Sequence, residues 1–456
     1  MQHVLKIGGS NLKDPDDLLH IHRIVQQYND SAVLVLSAVY GVTDALIALM
    51  QAVLRDEAPI ERQLQPILDS YCRILLPHVP PEDHQALRLR FEERAEHLKR
   101  FLLGIQCFRQ IPDFAYHYVC SYGERFATLM LHLFFDYQGK KNRELLPEDC
   151  GLLTSGKFPS KEIDFEHSSV ELKKHIQDDH CLYLMPGFYA ISRDGKVSLL
   201  GRGGTDYSAA AIAYCIGAKS LDIWKDVDGF LSADPKLVPA AHLIPTLSYS
   251  EAAELAYFGA KILHPRTMHP VKLGSIPVRI LNIRKEGANP GSIIQAGAQI
   301  SSSGVKSVSH SLNFGILRIA GPDVGMEAGI ISDVSSLFAT HELNIKSILT
   351  SQTAINFLFE KEDLTKAREL LERLDSEALE EISAIDDIAI LALVGEGFRD
   401  SPGLMAKALV ALSRININVE MMVAGASPVS SYLIVKQNQL KEALQAIHRE
   451  FFPSPA

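Results

Sequence analysis

Val4-Leu5-Lys6-Ile7-Gly8-Gly9-Ser10, close to the start of the chain, reads as a short strand that breaks into two glycines and a hydroxyl. Glycines let backbone N–H groups come close to a polyphosphate, and a lysine on the strand can neutralise charge on a group in transfer. Alone, the signal is weak, because a strand followed by two glycines is usually just a turn. Its surroundings decide the fold. Further apolar runs at residues 32–36, 181–185, 221–224 and 278–281 alternate with stretches of helical period, which predicts an α/β domain with a largely parallel sheet. From about residue 45 to 136 apolar and charged residues recur at three- and four-residue spacing (Leu87, Phe91, Leu98, Phe101, Leu102), interrupted near Pro77, Pro80 and Pro81. A helical subdomain is expected there.

Two more segments sit where a strand should meet a helix. Ser37-Ala38-Val39-Tyr40-Gly41-Val42-Thr43-Asp44 follows the second strand and sets hydroxyls at the ligand-binding edge of a parallel sheet, although a helix N-cap accounts for them as well. Gly201-Arg202-Gly203-Gly204-Thr205-Asp206 precedes a helix of small residues at 207–216. Three glycines, an arginine and an acid at a helix start form either an anion-binding nest with a guanidinium fork or a flexible surface turn. Neither GxxxxGK[ST] nor GxGxxG occurs, and the HRD and DFG motifs of protein kinases are absent. P-loop enzymes, dinucleotide oxidoreductases and protein kinases therefore lose ground. Three segments complete the set: Ser121-Tyr122-Gly123-Glu124; Asp222-Ile223-Trp224-Lys225-Asp226-Val227-Asp228-Gly229 with Ala233-Asp234-Pro235; and Phe258-Gly259-Ala260-Lys261-Ile262-Leu263-His264-Pro265. His264 has no second histidine at ligand spacing, so no protein-held metal is expected.

Near residues 287–304, Asn289-Pro290-Gly291 and Ser301-Ser302-Ser303-Gly304 break the pattern and suggest a boundary. Beyond it the chain repeats itself. Residues 318–348 laid over 392–422 at a constant offset of 74 pair Ile319 with Leu393, Gly321 with Gly395 and Gly329 with Gly403, and Leu343-Asn344-Ile345 with Ile417-Asn418-Val419. Each copy reads strand, Gly-bearing loop, amphipathic helix, strand, hairpin-like segment and second helix. The expected organisation is a large domain over 1–297 and two repeated units over 305–380 and 381–456.

Of the 456 residues 47% are hydrophobic and 22% charged, an ordinary globular composition, and a formal net charge of -10 argues against a nucleic-acid partner. Six scattered cysteines without a CxxC pair read as reduced thiols. No apolar run reaches membrane-spanning length and no leader precedes the first strand, so no membrane partner and a cytoplasmic location are expected.

Taken in order, these segments resemble the aspartokinase branch of the amino-acid kinase family, from Lys6 to about Pro453. The family's KxGG is here residues 6–9, its SxxxGxT residues 37–43, and its HGE-like turn Tyr122-Gly123-Glu124. Its GRGGSD stands at residues 201–206 with Thr205 for Ser, and its FGAKVLHP at residues 258–265 with Ile262 for Val. The repeats resemble ACT domains, ferredoxin-like α+β units that bind amino-acid effectors in this family. The resemblance implies a mainly parallel sheet with helices on both faces, followed by two such units. It implies ATP-dependent phosphorylation of L-aspartate with Mg2+, the first step toward lysine, threonine and methionine, in a homo-oligomer paired through the ACT units.

Residue by residue, Lys6, Gly8, Gly9, Ser10 and Ser37 suit the phosphate side, Asp206 would orient Lys6, and Lys261 would be a second cation near the nucleotide. By resemblance Arg202 would hold the substrate α-carboxylate, Glu124 its ammonium group, and Thr43 and Thr205 would add hydroxyl hydrogen bonds. Lys225, Asp226, Leu231 and Lys236 fall on the expected nucleotide side, with Lys225, Leu231 and Lys236 in place of the family's threonine, tyrosine and arginine. An effector, lysine or threonine, would sit at Gly325, Gly329, Ser332 and Asp333, where Lys346-Ser347 departs from an acidic and apolar pair. The rival readings are a glutamate or acetylglutamate kinase and a non-catalytic amino-acid sensor.

Overall fold

Val4, Leu5 and Ile7 are fully buried, as is every residue of the second apolar run. Strands buried at each position are covered on both faces, which is how a parallel sheet must be housed. The computed structural model describes residues 2–29, 32–177, 180–259, 262–285, 291–299, 301, 304–322, 324, 328–374 and 380–453. The chain divides into two units.

The first unit is built on an eight-stranded sheet. Its strands are β1 (His3–Ile7), β2 (Ala32–Leu36), β3 (Asn142–Glu144), β4 (Leu182–Pro186), β7 (Leu221–Lys225), β8 (Thr246–Leu247), β9 (Val278–Asn282) and β10 (Ser292–Ile294); β5 (Tyr189–Ile191) and β6 (Val197–Leu199) form a separate hairpin. The order is β3-β4-β2-β1-β7-β9-β10-β8, with only the β9–β10 pair antiparallel. Lys6 on β1 is in register with Val35 on β2 and Ile223 on β7. It therefore stands in the middle of the sheet, at the carboxyl end of its strand.

Between β2 and β3 run five helices, Val42–Leu54, Ile60–Leu75, His84–Phe108, Asp113–Cys120 and Tyr122–Tyr137, with short 3-10 turns at the proline cluster. Leu87, Phe91, Leu98 and Leu102 face inward on the longest, as their spacing requires. Tyr71, Phe91 and Phe126 form an aromatic core with centroids 5.5 to 6.3 Å apart. The buried Tyr71 hydroxyl donates to Gly123 O at 2.7 Å, tying that core to the helix that carries Glu124.

The second unit holds two antiparallel four-stranded sheets, each with two helices. In the first repeat β12 (Phe314–Ala320), β13 (Ser347–Thr350) and β14 (Ala354–Glu360) are joined by β15 (Glu381–Ile385), in the order β13-β14-β12-β15. In the second, β16 (Ile388–Val394), β17 (Met421–Val423) and β18 (Ser430–Lys436) are joined by β11 (Ser307–Ser311), in the order β11-β16-β18-β17. The strand before the first repeat thus completes the sheet of the second. β15 lies beyond residue 380, so the first sheet crosses the boundary expected there. Residues 231–242 and 258–259, expected in the first domain, also group with this unit. Val308 N donates to Ser232 O (2.8 Å), Ser307 Oγ to Leu231 O (3.0 Å), Gln445 Nε2 to Leu237 O (2.7 Å) and Ser309 Oγ to Phe258 O (3.1 Å).

No disulfide is present among the described residues, and five of the six cysteines are buried. Among the described residues no helix is long and apolar enough to cross a membrane.

At the amino end of β7, Asp222 is fully buried and pairs with Arg279, while Tyr28 Oη (2.5 Å) and Ser220 Oγ (2.8 Å) donate to it. Removing one side of such a pair strands the other, at about 3 kcal/mol for a partly exposed arginine, the low end of the usual range. Asp222→Ala is expected to lower the thermal midpoint by several degrees. An unchanged midpoint would remove this network from the determinants of stability.

Candidate functional site

Parallel sheets bind ligands beyond the carboxyl ends of their strands, and the sequence motifs gather there. Gly9 begins a 3-10 turn directly after β1; a Cβ on it would lie 2.4 Å from Ala38 O, in the loop after β2. A Cβ on Gly123 would lie 2.7 Å from the Ala38 Cβ. Two glycines therefore permit three motifs, far apart in sequence, to converge on Ala38.

The result is a cavity of about 580 Å³ whose wall includes Lys6, Ser37, Thr43, Glu124, Arg202, Thr205 and Asp206. All seven were expected site residues, and the structure brings them together. Gly8 lies beside the lysine, an added Cβ being 3.5 Å from Lys6 Nζ. Ser10 lies within the 3-10 turn.

Lys6 Nζ is 2.7 Å from Asp206 Oδ1, without the alignment of a hydrogen bond, and Lys225 Nζ is 3.8 Å from Asp206 Oδ2. One buried carboxylate is shared by two ammonium groups. Burial alone would raise its pKa, but the charges of Lys6 and then Lys225 outweigh that and hold it below the usual carboxylate range. Burial lowers the Lys225 pKa, against the pull of Asp206. Asp206 also occupies the first turn of the helix Gly204–Ile216, where the macrodipole favours an anion. That helix begins behind Gly203 in the left-handed region (φ 70°), with no side-chain cap on its N–H groups. Any Cβ on Gly203 would strike His264 at 2.3 Å.

Glu124 lies opposite in character. It is 3% exposed, and Oε2 has no hydrogen-bond partner among the described residues. Burial pushes its pKa up to about 8, more than the backbone hydrogen bonds and Lys6 can offset. A buried acid with an open oxygen is a receptor for a cation or a donor. Arg202 is exposed on the rim.

Asp226 is exposed just past Lys225. Leu231 and Lys236 belong to the second unit, where Leu231 O accepts from Ser307 and Lys236 N donates to Asp234 Oδ1 at 2.9 Å. Lys261 and Gly325 lie outside the described residues. Gly329, at φ 104°, caps the helix Ile330–Thr340, and Ser332 and Asp333 are exposed in its first turn. Sequence reasoning missed Tyr116, His117, Lys161 and Phe188, which also line the cavity. Phe188, at φ 70°, carries backbone strain of the kind found at ligand sites. Each is a lone residue outside any motif, and a positive φ on a phenylalanine leaves no mark in sequence.

The amino acid kinase family's profile matches residues 1–282 and an ACT-domain profile matches residues 391–451. The chain belongs to the amino acid kinase family. Within that family its likeness to aspartokinases runs end to end: it is 30% identical over 467 residues to aspartokinase 1, chloroplastic, of Arabidopsis thaliana, covering 99% of this chain and 80% of that one. It is 31% identical over 460 residues to the bifunctional aspartokinase/homoserine dehydrogenase of Haemophilus influenzae, covering 98% of this chain but 56% of the relative, so it spans about half the length of such bifunctional proteins. In fold it resembles E. coli aspartokinase III in complex with aspartate and ADP in the R-state (TM-score 0.81, 24% identity, 99% and 100% of the two chains). It also resembles the aspartate kinase of Clostridium acetobutylicum (TM-score 0.77, 23% identity, 98% and 100%).

Because the Glu124 pKa is raised on folding, the folded state holds that proton more tightly than the unfolded chain. The associated stability is fully present below the ordinary carboxylate range and is lost as pH rises through about 8. Without ligand, wild-type stability relative to Glu124→Gln is expected to fall by up to ~1.4 kcal/mol per pH unit across that window. A difference that stays constant with pH would contradict the assignment.

Proposed function

We propose that this chain is an aspartokinase, transferring the γ-phosphoryl group of ATP to the β-carboxylate of L-aspartate to give 4-phospho-L-aspartate, the first step toward lysine, threonine and methionine. The observation that carries the reading is one cavity holding a buried lysine paired at 2.7 Å with Asp206, a buried acid with an open oxygen, and an arginine at the rim. These match the charges of a phosphoryl group, an ammonium and a carboxylate. The family relationship and the aspartate and ADP held by E. coli aspartokinase III support it.

The nucleophile is already ionised at neutral pH, so no general base is required. The difficulty is bringing an anion to a polyphosphate, and the protein's part is in-line positioning and charge neutralisation. Lys6, steadied by Asp206, serves the equatorial oxygens of the transferring group, and the backbone of Gly8 and Gly9 lies beside it. Lys225 adds a cation on the nucleotide side. Arg202 takes the α-carboxylate, Glu124 the α-ammonium, and Thr43 and Thr205 supply hydroxyl donors. The ammonium restores the charged form of Glu124 that burial disfavours. Magnesium, when bound with the nucleotide, neutralises β- and γ-phosphate charge. It would be held chiefly by those phosphates, Asp206 being already committed to two lysines.

The repeats would bind a downstream amino acid, lysine or threonine, at the start of the helix Ile330–Thr340, and pair the chain into a homo-oligomer in the cytoplasm.

A coupled ADP-release assay with L-aspartate, L-glutamate and N-acetylglutamate tests the substrate. Turnover is expected with L-aspartate. Preference for N-acetylglutamate, which has no ammonium for Glu124, would overturn the reading, and no turnover with any of the three would favour a sensor. Lys6→Met should lower kcat on the order of 100-fold with a smaller change in KM for aspartate. Arg202→Ala should raise KM for aspartate on the order of tenfold and move that for ATP little. Equal weakening of both substrates would remove Arg202 from the α-carboxylate.

A further inference from the structure

His117 lies on the helix Asp113–Cys120 and lines the cavity without belonging to any motif. Its Nδ1 is 3.1 Å from the backbone nitrogen of Leu199, the last residue of β6. A backbone N–H can only donate, so Nδ1 must carry the lone pair and the ring proton must be on Nε2. The ring is packed edge-on against Phe158, with centroids 4.8 Å apart. Leu199 leads directly into Leu200 and the turn at residues 201–204, which brings Arg202 to the cavity rim and opens the helix of Asp206. Leu200 is fixed on both sides: its N–H donates to Phe188 O (2.8 Å) and its carbonyl accepts from Arg266 Nη1 (2.7 Å). The His117 contact is a third tie at this junction, and of the three it alone is made by an imidazole.

We infer that His117 is a positioning residue for substrate binding: its neutral ring, accepting from Leu199 N–H, sets the turn that holds Arg202 over the cavity. This rests on the reading of the cavity as the aspartate site. Protonation at Nδ1 removes the acceptor and faces one N–H with another, so the tie exists only in the neutral form. Burial lowers the His117 pKa, with Asp113 opposing and Lys161 assisting, which keeps the ring neutral under ordinary conditions. The charged groups around it are Asp113 on its own helix, Lys161 and Lys196 from the neighbouring segments, and Lys6, Glu124 and Arg202 along the cavity wall. Glu124 titrates higher, near 8, so its effect is separable by comparing variants at each pH.

The test measures KM for aspartate, KM for ATP and kcat between pH ~5.5 and ~8.5 in the wild type, His117→Asn and His117→Ala, a range bracketing the ordinary histidine pKa. Asparagine places a non-titrating oxygen where Nδ1 stood. His117→Ala is expected to raise KM for aspartate on the order of fivefold, the loss of one neutral hydrogen bond, with kcat and KM for ATP changed less than about twofold. His117→Asn should restore KM, and the ratio of wild-type to His117→Asn KM should climb toward the acid end of that range as the ring protonates. A flat ratio, or an asparagine variant no better than alanine, would overturn the inference; if the alanine variant does not fold, the ratio still decides. Should the wild type fail to turn over aspartate, the functional reading fails separately. The tie would then be read from ring 15N shifts assigned by difference against His117→Asn: the Nε2–H tautomer supports it, and a proton on Nδ1 overturns it.

Discussion

A single carboxylate, 7% exposed, shared between two lysines organises the site. Asp206 could not stay ionised there unaided, since removing a charge from water costs several kcal/mol. Lys6 supplies the largest share of the compensation, Lys225 the next and His264 a smaller one, while the first turn of the helix Gly204–Ile216 contributes its dipole. The group of three carries one net positive charge, at the carboxyl edge of β1 and β7. In the proposed reaction an anionic ligand would complete it, and no rearrangement would be needed as phosphoryl charge develops.

Close approach of backbone sets the remaining geometry. Gly9 and Gly123 leave room at Ala38 for the loops after β1 and β2 to meet the helix of Glu124, and Gly203 leaves room for His264. Side chains at these places would push the loops around the cavity apart. Glu124 illustrates what that proximity costs, because it is buried with an open oxygen and a pKa near 8 until a cation arrives. On the proposed reading, ligand binding and proton release are coupled at this residue.

Much of this could be read from the chain because it rests on local pattern. Runs buried on both faces announced β1, β2, β4, β7 and β9 to within a residue or two, and the constant offset of 74 exposed the repeated units. Strand partners are a different matter. β11 and β15 each follow the rules of an edge strand, and nothing local says that the first completes the second repeat's sheet and the second completes the first's. For the same reason residues 231–242, a short way past β7, gave no sign that Ala233 and Val238 would enter the core of the second unit. The motif residues around Lys6 were legible because glycines and charges cluster there. His117 and Phe188 were not, since one acts through a backbone amide 82 residues away and the other through its own strained φ.

On the proposed mechanism, Asp206 acts through Lys6. A double-mutant cycle on kcat with Lys6→Met, Asp206→Asn and the combination tests it most directly. If the two work as one unit, the double variant is slower than Lys6→Met alone by less than about threefold. Losses that multiply would show that each group acts independently and would contradict the account.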